Sequence, residues 1–245
     1  MSTGGADEDP LFAGVAAICD DAVRQTQVDG VALAVLTRSG RVRQLVYASD
    51  PVAKRLDELQ FTIGEGPCLD AYFDDAPQLY PQLTSVGDTA RWPVFATEAT
   101  ELGVHALFAF PVPDGLHPMG VLEFYRRSAG ALVDAAPASG TTCAALLAQR
   151  LGANWQGYVA RWGSAARALD EAAITGAAGQ EPADPFSLSQ VHIAAGMVAV
   201  QLGIRAGEGV DRLRAYSYAC GRPLSSVAAD VLARRLDMST KRDVP

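Results

Sequence analysis

An α+β fold in at least two modules is predicted by three features of this 245-residue chain. Short apolar, β-type runs come in pairs (30–37 with 43–49, and 104–112 with 119–127), as in antiparallel hairpins. Segments with helical spacing alternate with those pairs, so helices should cover an antiparallel sheet. The last 60 residues hold only helical patterns and carry a net +3, against −11 for the first 185 and −8 overall. Such asymmetry points to modules with different partners.

The elements follow in order. Residues 10–27, beginning at Pro10, space apolar residues as an amphipathic helix does. "GVALAVLT" reads as a buried strand, "SG" as a turn and "RQLVYAS" as its hairpin partner. Asp50 is placed to cap a helix that has Pro51 in its first turn. The loop "FTIGEGPCLDA" is punctuated by two glycines and a proline, and a short helix follows from Pro67. Residues 91–103 read as a helix closed by Gly103, and "PDGLHP" as the turn of the second hairpin. A long Ala/Leu-rich helix is expected over 131–151, with Pro137 and Gly140 weakening its first half.

Beyond it, Leu151, Trp155, Tyr158, Trp162, Ala165, Leu169 and Ala172 recur at alternating steps of four and three, a heptad seam. Two readings stand: a dimer interface through Leu151, Trp155, Tyr158, Trp162 and Leu169, or a helix packed back on the sheet. Residues 175–187 are a polar Gly/Pro linker. Three short helices then follow: 188–203, opened by Ser187 and ended by Gly203; a second ended by Gly221; and a third after Pro223.

Composition excludes several classes. No apolar run reaches the roughly 18–20 residues that cross a bilayer, and the acidic N-terminus does not look like a secretion signal, so a cytoplasmic protein without a membrane partner is expected. Cys19, Cys68, Cys143 and Cys220 are widely spaced and suggest reduced thiols rather than a zinc site; no metal and no cofactor is expected. Catalytic triad and phosphate-loop motifs are missing, which argues against an enzyme. Weak ligand candidates are Cys68, either a small buried residue or a reactive thiol, and Glu123, either on an exposed strand face or lining a pocket.

Over residues 1–152 the order of hairpin, "GEGPC" loop and second strand pair resembles a GAF sensor domain. Residues 186–245, after a connector at 153–185, resemble an ANTAR domain, the three-helix RNA-binding output module of bacterial antitermination regulators. Ala194 and Gly196, the pair Leu213 and Arg214, and the ending "LSSVAADVL" carry that likeness. It implies a homodimeric regulator whose sensor takes a small ligand or an upstream signalling protein. Its bundle would bind paired stem-loops in nascent RNA through Ala194, Gly196, Arg214 and Tyr216. Family first helices often bear a polar or basic residue beside the glycine, where this chain has Ile193 and Ala195. Other readings stay open: Gly196 could serve helix–helix packing, Arg214 could pair with Asp211, and Tyr216 could be a core residue. The alternative at the level of function is a signalling adaptor whose helical module binds protein.

Overall fold

β1 (Gly30–Leu36) sends Val31 and Leu33 to one face of a sheet and Ala32 and Ala34 to the other, and all four are buried. A strand buried on both faces must be covered on both. In the computed structural model this is so. α1 (Val15–Thr26) and α5 (Ala136–Trp162) cover one face, where Phe108, Phe110, Leu122, Phe124 and Leu147 form the main core. The other face is covered by α2 (Pro51–Ile63), α3 (Pro67–Asp74) and α4 (Pro93–Glu101), over Leu56, Leu59, Phe95, Leu107 and Tyr125.

The sheet has five strands in the order β2–β1–β5–β4–β3, with β2 (Arg43–Ala48), β3 (Gln78–Tyr80), β4 (Ala106–Asp114) and β5 (His117–Arg126), and every pairing is antiparallel. β5 is therefore central. β3 is a three-residue edge strand that hydrophobic patterning misses, since a run this short has no readable period. The β4–β5 ladder extends to Asp114↔His117, so most of "PDGLHP" lies in the strands and Gly115, at φ +64°, makes the turn.

The structure describes residues 10–36, 43–84, 90–132, 136–168, 188–222 and 224–239, in two units that divide between Ala165 and Ala166. Ser187 and the 175–187 linker lie outside them. α2 is capped as expected, with the Asp50 carboxylate accepting from the N–H groups of Val52 and Ala53 at 2.8 and 3.1 Å. α1 begins at Val15 rather than at Pro10, because Gly14 turns left-handed before it. α5 is one continuous helix, starting later than expected and crossing residue 152, where a module boundary had been placed. Gly140 lies where this helix meets the Phe110 ring, so the residue that weakens the helix locally permits its close approach to the sheet.

In the second unit α6 (Leu188–Leu202), α7 (Ala206–Ala219) and α8 (Leu224–Leu232) pack around Val191, Ala194, Val198, Leu213, Val227 and Val231. Ser217 Oγ donates to the Arg222 carbonyl at 2.6 Å, and Arg222 joins Ser226 and Asp230, closing the α7–α8 corner. Two glycines divide the work that one was expected to do. A methyl on Gly209 of α7 would collide with the Ala195 carbonyl of α6, whereas a methyl on Gly196 would meet no other part of the described residues within 4 Å. Close helix packing thus rests on Gly209, and Gly196 faces outward.

Opposite effects follow for two like substitutions. Gly196→Ala should stabilise the chain by up to about 1 kcal/mol, since alanine is the better helix former. Gly209→Ala should destabilise it by about 1–3 kcal/mol through overpacking. Thermal unfolding followed by circular dichroism at 222 nm (the α-helical band) reads both.

Candidate functional site

The α2–α3 corner gathers an unusual set of polar side chains under the sheet. Strand alternation points Val121, Glu123 and Tyr125 of β5 to the same face, and Glu123 lies opposite Ala32 on β1 and Ala109 on β4. Two alanines beside it leave room for polar groups from the helices above. Gln60 of α2 fills that room. Its amide nitrogen donates to both Glu123 oxygens at 2.9 and 2.7 Å, and its carbonyl oxygen accepts from the Cys68 backbone N–H at 2.8 Å.

The "GEGPC" loop is built around this amide. Gly64 ends α2 in a left-handed turn. Glu65 turns away and accepts from the N–H groups of Val94 and Phe95 at 3.1 and 3.0 Å, satisfying the first turn of α4. Gly66 has φ +135°, and any side chain there would strike Gln60. Pro67 opens α3, which delivers Cys68.

Arg43, at the start of β2, completes the cluster. It is only 1% exposed. Its Nη2 donates to Cys68 Sγ at 3.1 Å and is ion-paired with Asp57 of α2, also buried. Its Nε and Nη1 meet no hydrogen-bond partner among the described residues. Burial opposes the Arg43 charge, but Asp57, Cys68 and Glu123 around it hold its pKa above the ordinary value. Burial pushes the Cys68 thiol well up despite Arg43, so it is protonated and a poor nucleophile. Burial likewise raises Asp57, against the pull of Arg43, and pushes Glu123 up to about 7.

The two weak ligand candidates, Cys68 and Glu123, are thus brought into one cluster. Glu123 is not on an exposed face: it is 3% exposed, because the central strand is covered on both sides. Sequence reading missed Arg43, Asp57 and Gln60. The one available signal was Asp57 and Gln60 at i, i+3, amid the apolar positions of α2.

The residues read as RNA contacts are dispersed. Ala194 is fully buried in the bundle, so its methyl group belongs to the core rather than to a contact surface. Gly196 is open outward. Arg214 is partly exposed and lies 3.5 Å from Asp211 one turn earlier, and Tyr216 is half-buried. Along the heptad seam, Leu151 joins the sheet-face core. Tyr158 is buried, stacked on Trp155 with ring centroids 6.4 Å apart and tilted against Trp162 at 6.3 Å. Asn154 on the same helix donates to the carbonyls of Leu11 and Ala13, both at 3.1 Å. Leu151 and Asn154 thus contact their own domain, while Trp155 and Trp162 are half-buried. Leu169 lies outside the described residues.

No helix among the described residues is long and apolar enough to cross a membrane, and no cluster of metal-ligating side chains occurs among them. No protein-family model and no curated protein matches the chain. Solved structures do. A domain assigned to a two-component sensor histidine kinase from Sinorhizobium meliloti 1021 is 16% identical, with 60% of this chain and 93% of that one covered at a TM-score of 0.48. The GAF domain of a phosphoenolpyruvate-protein phosphotransferase from Coxiella burnetii is also 16% identical (59% and 83% covered, TM-score 0.46). A free methionine-R-sulfoxide reductase from Neisseria meningitidis is 14% identical (61% and 81%, TM-score 0.44).

The buried carboxyl makes a pH prediction. Unfolded, Glu123 ionises near 4.5; folded, near 7. Between those values the unfolded chain releases a proton that the fold retains, so its contribution to stability is complete below about 4.5 and is lost as pH rises through about 7. The loss should approach about 3 kcal/mol. Asp57 acts in the same sense, while Arg43 favours the ionised forms. Glu123→Gln, which keeps an acceptor for Gln60, should flatten the difference in urea unfolding free energy between about pH 4.5 and about pH 8.

Proposed function

We propose that the chain is a signal-responsive, non-enzymatic regulator: a GAF-type sensor unit whose input element is the Arg43–Asp57–Gln60–Cys68–Glu123 cluster, and an ANTAR-type helical unit that binds stem-loops in nascent RNA. The observation that carries the sensor half is the state of Arg43. A buried guanidinium whose Nε and Nη1 meet no partner among the described residues is costly, and replacing such a network by apolar residues is often neutral or stabilising. An acidic small molecule or an acidic side chain from an upstream partner would satisfy those donors. The raised thiol pKa of Cys68 supports a binding rather than a catalytic role.

For the output half the support is electrostatic. The last 60 residues have a net positive charge in an otherwise acidic chain, and Arg212, Arg234 and Arg235 are exposed on the described part of the bundle. Arg214 is the central expected contact. Its pairing with Asp211 does not compete strongly, since a surface pair of this spacing contributes only a few tenths of a kcal/mol. A second reading, an adaptor that binds protein, is favoured by the uncharged outer face of α6.

Arg214→Ala should weaken binding to a paired stem-loop by about tenfold or more at fixed salt, because a hydrogen bond to a charged group contributes about 1.5–3 kcal/mol. Helical circular dichroism should stay at the wild-type level. Equal affinity in the mutant, with no RNA recovered by crosslinking in cells, would leave the adaptor reading in its place.

A further inference from the structure

Two hydrogen-bond requirements meet in the Arg43 cluster. Arg43 Nε and Nη1 lack partners among the described residues. The second requirement lies with Glu123. Gln60 is turned with its amide nitrogen toward Glu123 and its carbonyl oxygen toward the Cys68 N–H. It therefore gives hydrogen bonds to Glu123 and is not placed to take one. Once protonated, Glu123 needs an acceptor other than Gln60 for its O–H. Ala32 and Ala109, beside it on the neighbouring strands, have side chains that offer none.

Charge counting says when such an acceptor is admitted. The charges that act on Glu123 are Arg43 from β2 and Asp57 from α2, while Cys68 from α3 is a neutral thiol. Glu58, next to Asp57, is paired with Arg55 at 3.0 Å. Arg43, Asp57 and Glu123 are each at most 3% exposed, so water screens them little. With both carboxylates ionised, negative charge already exceeds positive by one. Another anion would raise the excess to two unless a proton came with it. Asp57 is in direct ion pair with Arg43, which favours its ionised form, whereas Glu123 is held by a neutral amide. The proton therefore goes to Glu123.

We propose that the ligand of this cluster is a small monocarboxylate that binds together with one proton, its carboxylate accepting from Arg43 while the proton settles on Glu123. This rests on the sensor reading of the cluster and adds the form in which the ligand is taken up. A single charge is selected, because a dianion would need a second proton. Ligand-free Glu123 titrates near 7, and a carboxylate bound beside Arg43 pushes it higher. On the acid side of that value the proton is already in place. On the alkaline side each binding event must take one up, so affinity falls as pH rises through about 7.

Acetate, an anion throughout the range used, is the probe. The full-length protein is titrated by isothermal calorimetry at fixed ionic strength, in two carboxylate-free buffers of unlike ionisation enthalpy. The difference in heat counts protons: nearly one taken up per acetate at about pH 8, and almost none at about pH 6. Affinity should be about tenfold lower at the higher pH. Glu123→Gln, neutral at both, should bind about tenfold more tightly than wild type at about pH 8, with no uptake, and damage to the fold would not produce a gain. Acetamide, of the same shape without the charge, should not bind. Absence of proton uptake by the wild type, or a wild-type pH dependence in Glu123→Gln, would overturn the proposal and leave an anion site standing. Equal binding of acetamide, or no binding of acetate at either pH, would overturn it together with the small-molecule reading of the sensor. The proton count is made on the wild-type chain, so it decides even if the variant does not fold.

Discussion

A carboxyl group in the middle of a sheet covered on both faces must be satisfied from inside the protein, and one corner of the first unit is arranged around that need. Glu123 cannot reach water, so Gln60 comes down from α2 to meet it. Gln60 in turn needs space and a donor, and Gly66 and the Cys68 N–H supply them. Those requirements bend the chain between α2 and α3, and the bend frees Glu65 to finish α4. The loop is therefore built by the helices and strand around it, and the cluster it closes is the most polar place in an otherwise apolar core. A buried polar network of this kind costs stability relative to an apolar core of the same volume.

Much of this architecture is legible in sequence, and the illegible parts have physical reasons. The hairpins, the Asp50 cap and the helix after Pro67 are local, and local rules find them. β3 is too short to show a period, and α5 runs past its expected end because packing on Phe110 and the tie from Asn154 override the cost of Gly140 and Gly152. Cys68 and Glu123 could be named singly, one for its place at a helix start and the other for its charge in an apolar strand. Their meeting could not be read, because it depends on which face of the sheet α2 covers. Arg43 was hidden for the same reason: an arginine at a strand end ordinarily points to solvent.

The bundle teaches a related lesson about glycine. Both Gly196 and Gly209 interrupt good helices, and sequence assigns them the same local cost. Only tertiary placement separates them, since one sits against a backbone carbonyl and the other opens outward. A residue chosen for what it lacks can serve inside or outside a fold, and its neighbours decide which. Ala194 makes the same point from the other direction: small size suggested an exposed approach, and burial gives it to the core.

The tie between Asn154 and the carbonyls of Leu11 and Ala13 reaches further than its two hydrogen bonds suggest. α5 is a rod of about 40 Å, from its 27 residues at 1.5 Å each. Its first half is bedded on the sheet, and beyond Leu151 its grip on the domain includes the stretch of chain just ahead of α1. Residues 11–13 and the far half of α5 thus share one fastening in the first unit. Whatever loosens residues 11–13 also removes two hydrogen bonds that hold α5 beyond Leu151, so that short stretch works as a latch on the helix.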